Sequence, residues 1–182
     1  MGRPKLTMPW RDSTVIEQVL NAWKASRVSH VIVVVRPDDQ DLIDVCRQSG
    51  IKPVIPGVSP SEMKVSITIA LDYVKRTYAP TDSDVWLLAP ADFPNLQALV
   101  IDQLLDNWDS SSKTIVAPTV CGQRGHPVLF PWMLATKVTN LKANEGVNAL
   151  LDLNPVREIE IADRSILEDL DTQEDYQRLH GK

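Results

Sequence analysis

Residues 85–96 read VWLLAPADFPNL, and this stretch decides the fold. Val85, Trp86, Leu87 and Leu88 form a short apolar run rich in strand formers. Acidic and turn-forming residues precede it and prolines follow it, the pattern of a strand buried on both faces. A carboxylate, Asp92, then stands where the strand has just ended. After it, NLQALVIDQLLDNW has the spacing of an amphipathic helix. Strand, acidic loop, helix is one unit of an open α/β sheet.

The same alternation continues in both directions. Upstream, STVIEQVLNAWKAS puts Val15, Ile16, Val19, Leu20 and Trp23 on one helical face. SHVIVVVRP is too short and too β-branched for a helix and predicts a strand buried on both faces. DDQDLIDVCRQSG predicts a helix with acidic residues at its start and Gly50 at its end. KPVIPG predicts a short strand, and residues 61–78 a long helix. Downstream, KTIVAP and HPVLF predict strands, with helical stretches near residues 131–141 and 145–153. VREIEIAD alternates like a half-exposed strand. TQEDYQRLHG predicts a closing helix with Thr172 as N-cap and Asp175 three residues on. Short connections between alternating elements predict an α/β fold with a mostly parallel sheet and helices on both faces. Ligands of such sheets bind at the carboxyl ends of the strands, so the polar groups that follow each strand are the ones to weigh.

Asp92 is the first of these. A carboxylate at a strand's carboxyl end suits a divalent cation, since magnesium takes one or two carboxylates, waters and phosphate oxygens. Asp92 equally suits an N-cap for a helix starting near Pro94 or Asn95, and local sequence leaves both roles open. The turn CGQRGHPVLF brings Arg124 and His126 beside a strand start. A guanidinium fork fits phosphate, and an ordinary solvated loop is the competing reading. LEDLDTQEDY places Asp169 and Asp171 before the last helix, as metal ligands or as plain negative charge at a helix start.

Composition narrows the classes. The 182 residues are 43% hydrophobic and 24% charged, ordinary for one globular domain, read here as residues 1–182. A net charge of -5 argues against a nucleic-acid partner. No apolar run approaches membrane-spanning length and no signal pattern opens the chain, so the cytoplasm is the expected compartment. The two cysteines, Cys46 and Cys121, have no metal-ligand spacing, and Cys46 fits a buried thiol in a helix.

MGRPKLTMPW, SEMKVSITIAL, LAPADFPNL, GQRGHPVLF, NEGVNALL and LEDLDTQEDY, in this order, resemble the MobA-like nucleotidyltransferases along essentially the whole chain. The closest branch is the molybdenum-cofactor cytidylyltransferases, to which RGHPVLF and NEGVNALL are fairly specific. The acidic A-D-x-P and the D-x-D-T-x-E-D ending are shared more widely among related transferases. Pro90, and Pro56 with Gly57, depart from the usual pattern.

The resemblance implies a three-layer, Rossmann-like nucleotidyltransferase fold. It implies transfer of CMP, less readily GMP, from an NTP to a molybdopterin-type phosphate acceptor, with release of pyrophosphate. Mg2+ would be the cofactor, held by Asp92 with Asp169 or Asp171. Lys5 and Asp92 would carry the reaction. Gly2, Lys5, Met63, Ser66 and Asp92 would bind the nucleotide, with Lys64 bordering the same pocket. Arg124 and His126 would face the pterin. Pro4 before Lys5 favours the cytidylyl branch. CTP or another NTP, the molybdopterin-type cofactor and a molybdoenzyme or its chaperone are the partners implied.

Family members carry an apolar strand and a glycine-rich loop ahead of M-G-x-P-K-L. The expectation is that this first strand, central between residues 31–35 and residues 85–88, is missing here. The sheet should then be disturbed beside residues 31–35. Loop amides that cradle phosphates would be lost too, each charge-assisted hydrogen bond being worth roughly 1.5–3 kcal/mol. Little cytidylyltransferase activity is therefore expected of the chain as numbered. Two further readings stand beside the first. One is a degenerate homologue that binds nucleotide, pterin or a protein without turnover. The other is a sugar-nucleotide-type pyrophosphorylase on the same fold, disfavoured by the short length and the R-G-H-P element.

Overall fold

The computed structural model describes residues 4–142 and 145–180. The central sheet is built from β3 (Val85–Leu88), β4 (Ile115–Val120), β5 (Gln123–Arg124), β6 (Val128–Pro131) and β7 (Val156–Glu160). β6 lies between β3 and β4, antiparallel to both. β4 pairs in parallel with β7 on its other side and forms a tight hairpin with β5. The α/β class expected from sequence stands. Among the described residues the sheet is mixed rather than mostly parallel, because a hairpin and a reversed strand, β6, occupy its middle.

Side chains alternate between two covered faces. Trp86, Ile115, Ala117, Val128 and Phe130 point to a core shared with Ile67 and Leu71 of α3 (Met63–Tyr78). Trp86 and Phe130 are cross-strand partners and their rings stack at 4.3 Å between centroids. Val116 and Leu129 point the other way, onto Leu104 of α4 (Ala98–Asp106). Sandwiched burial of this kind is why these strands read as continuous apolar runs.

α1 (Val15–Ala25) starts at Thr14, which shares a capping box with Glu17. α1 buries Ile16 and Leu20 against Val35 and against Leu42, Ile43 and Cys46 of α2 (Gln40–Gln48). Ahead of α1, β1 (Pro9–Trp10) and β2 (Ser13–Thr14) form a small hairpin. Trp10 of that hairpin is fully buried with Val15, Leu170 and Leu179 of α7 (Gln173–His180). Two short helices, α5 (Ala135–Val138) and α6 (Ala149–Leu153), complete the α3 side. No helix among the described residues is long and apolar enough to cross a membrane.

Residues 31–35 depart from the expected doubly buried strand. Val35 is buried, but residues 31–34 are half-buried. Their sheet contact is a single parallel bridge, Val34 to Val54, in which Val35 N–H donates to Val54 and Val54 N–H donates to Val33. Those bonds turn the Val34 N–H and C=O the opposite way, where no described backbone group meets them. Among the described residues β3 pairs with β6 alone. The disturbance expected beside residues 31–35 is present among the described residues as this single bridge in place of a paired strand.

Candidate active site

Asp92 lies four residues past the end of β3, and the structure removes one of its two roles, that of helix cap. α4 begins only at Ala98, its N-cap is Gln97, and no side chain caps it. Asp92 caps nothing. Its Oδ2 instead lies 2.6 Å from the Lys5 ammonium, and its Oδ1 is buried with no hydrogen-bond partner among the described residues. The same ammonium reaches Asp171 Oδ1 at 3.2 Å. One lysine therefore joins two carboxylates 79 positions apart in sequence (171 − 92).

Local structure sets each member of this group. Lys5 opens a 3-10 turn, Lys5–Thr7, whose Leu6 packs onto the α1–α2 core. Asp169 and Asp171 flank Leu170, which is buried beneath Trp10 and whose N–H donates to the Asp92 carbonyl at 3.1 Å. The apolar residue anchors the segment and leaves a carboxylate on either side. Burial, then the charges of Asp171 and Asp92, raises the Asp169 pKa. Partial burial pulls Lys5 down, but its bonds and charge attraction to Asp92 and Asp171 outweigh that, and its pKa is raised.

His126 belongs to the same region. Burial lowers its pKa, against a hydrogen bond to the Leu88 carbonyl and the charges of Asp169 and Asp92. Its ring meets Phe93 edge-on and its backbone N–H donates to Ile166 at 2.8 Å. Arg124 lies elsewhere: its guanidinium pairs with Glu158 on β7 at 2.5 Å, across β4. Met63 and Ser66, on the first turn of α3, line a cavity of about 350 Å³ together with Leu6, Val34 and Arg36. Lys64 is engaged away from it, donating to the Lys142 carbonyl at 2.6 Å. Gly2 lies outside the described residues.

Two polar groups escaped sequence reasoning. Arg36 directly follows residues 31–35 and lines the cavity, so the rule of weighing polar groups after strands applied to it as well. Arg11, at the β1–β2 turn with φ 50°, reaches Asn95, which in turn donates to Glu168. No period or motif marks that chain of contacts.

Among the described residues no three His, Cys, Asp or Glu side chains gather as a ready metal cage. A hard cation that keeps waters and shares phosphate oxygens needs no such cage. Two carboxylates on one ammonium, with one oxygen buried and unpaired, fit it.

A search of the curated proteins found no match. Among solved structures, the Mycobacterium tuberculosis protein Rv0371c is similar with a TM-score of 0.84 at 23% identity, covering 100% of this chain and 92% of that one. Its complex with manganese is similar with a TM-score of 0.81 at 23% identity, covering 100% of this chain and 94% of that one. A cytidylyltransferase from Leptospira borgpetersenii has a TM-score of 0.76 at 18% identity, over 97% of this chain and 78% of that one. At these identities the likeness is one of fold. The model of the MobA-like NTP transferase domain matches residues 1–160, and the chain belongs to that family.

Proposed function

We propose that this protein transfers CMP from CTP to a molybdopterin-type phosphate acceptor and releases pyrophosphate. One observation carries the reading: Lys5 bridges Asp92 and Asp171 just beyond the carboxyl end of β3. Groups that bind a polyanion and groups that bind its counter-cation are thereby in one place. The cytidylyltransferase among the similar folds supports the choice of nucleotide. The site draws on residues from Lys5 to Asp171, which supports reading residues 1–182 as one domain; the cytoplasm is the compartment in this reading.

An acceptor phosphate oxygen attacks the α-phosphorus and the bond to pyrophosphate breaks. The protein's contribution is positioning and charge neutralisation. Lys5 meets the triphosphate as a point charge. Met63 and Ser66 border the nucleoside in the cavity beside Leu6. Asp92, with Asp171 or Asp169, would hold a divalent cation, magnesium in this reading, which supplies charge neutralisation at phosphate oxygens. A manganese complex of a protein of the same fold supports a divalent ion. His126, kept neutral by burial, would face the pterin with Arg124, and a molybdoenzyme or its chaperone would receive the product.

A second reading is favoured by Lys5 occupying both carboxylates: a homologue that binds nucleotide or pterin without turnover. Pyrophosphate release from CTP and from GTP, with and without the pterin and magnesium, separates the two. Pterin-dependent release from CTP supports transfer. Calorimetric binding of CTP with no release supports the second reading.

A further inference from the structure

Lys5 already neutralises the carboxylates that the proposed function assigns to the divalent cation. Two of its three ammonium donors are spent on them, at 2.6 Å to Asp92 Oδ2 and 3.2 Å to Asp171 Oδ1. A magnesium-like ion sits about 2.0–2.1 Å from its oxygen ligands. Held by those same two oxygens, it would lie inside the space the ammonium occupies, while the other Asp92 oxygen, Oδ1, is buried away from solvent. We propose that Lys5 and a divalent cation are mutually exclusive partners of Asp92 and Asp171, and that a nucleoside triphosphate admits the cation by drawing Lys5 onto its own phosphates. The inference rests on the reading of Asp92 and Asp171 as cation ligands.

Three features support it beyond the two distances. The Lys5 side chain is 29% exposed and Asp92 18%, so the pair is partly shielded from water and held more firmly than a surface pair. The backbone of Lys5 is fixed by its 3-10 turn and by Leu6, while its four-carbon stem is free to pivot. Leu6, the next residue in the chain, lines the cavity with Met63 and Ser66, so a triphosphate seated there would pass close to Lys5. The cation then enters with the triphosphate rather than ahead of it. The lysine works as a gate on metal entry as well as a phosphate ligand.

Manganese binding measured by electron paramagnetic resonance, without nucleotide, tests this on the full chain. Lys5→Met and Lys5→Gln should each bind Mn2+ at least about tenfold more tightly than the parent, and Lys5→Arg should stay near the parent. Adding Asp92→Asn to Lys5→Met should abolish the gain. Unchanged or weaker binding in both neutral variants, with Asp92→Asn still lowering it, overturns the gate and leaves the site's assignment standing. A gain that survives Asp92→Asn places the metal elsewhere and overturns both.

Discussion

Gly125 and Ile166 approach so closely that a Cβ on the glycine would lie 2.7 Å from Ile166 Cγ1 and 2.8 Å from its carbonyl carbon. The R-G-H element is thus the seat on which the 3-10 turn Arg164–Leu167 rests, and that turn leads into Asp169 and Asp171. Gly125→Ala should lower stability by about 1–3 kcal/mol through overpacking. It should also weaken magnesium–CTP binding, because the acidic segment must shift. Urea unfolding and calorimetry on the one variant read both effects; full stability with intact binding would refute the contact.

Asp92→Asn should reduce magnesium-dependent CTP binding by about tenfold or more while leaving the fold intact, since the residue caps no helix. The comparison is calorimetry with magnesium and with chelator. A variant that binds magnesium–CTP like the parent would remove Asp92 from the metal site.

Leu170 is 1% exposed and pins the acidic loop to the Asp92 carbonyl. Leu170→Ala should cost about 2–5 kcal/mol of stability. Metal–nucleotide affinity should fall further than for a truncation of equal cost at Leu150, which is equally buried but lies in the α3-side core. Equal losses at the two positions would show that Leu170 acts through global stability alone.

His126 gives the pH dependence a definite sign. Its folded pKa is lowered, so between that value and about 6.5 the unfolded chain binds more protons. The stability it contributes is full above 6.5 and is lost as pH falls through the folded value. His126→Gln should flatten this part of a thermal melting profile measured across pH 5–8. An unchanged slope would mean that other groups set it.

Glu158 holds Nε of the Arg124 guanidinium and competes with an anionic pterin for its charge. Arg124→Ala should therefore weaken pterin binding more than CTP binding, and Glu158→Gln should strengthen pterin binding. No change in either variant would confine Arg124 to the sheet edge.

What the sequence made legible depended on range. α1, α3 and α7 were readable because their apolar spacing and caps are local; Thr172 and Asp175 bond to each other as their spacing predicted. The hairpin at Pro9–Thr14 was not, because two-residue strands carry no period. Residues 31–35 misled because an apolar run looks the same whether both of its edges are paired or one is bare. Asp92 stood out by its position after a strand. Its link through Lys5 to Asp171 spans most of the chain, and no local pattern announces it. The Arg124–Glu158 pair is hidden for the same reason.

The edge of residues 31–35 that no described strand pairs also bears on solubility. VIVVV is uncharged and strongly β-forming, and a strand edge of that composition recruits the edges of other molecules. Arg36, Pro37, Asp38 and Asp39 follow it at once. Charge and a missing amide immediately beyond the valines limit how far a foreign strand can zip along them. Replacing that quartet with neutral residues should turn a dispersed protein into one that precipitates as its concentration rises.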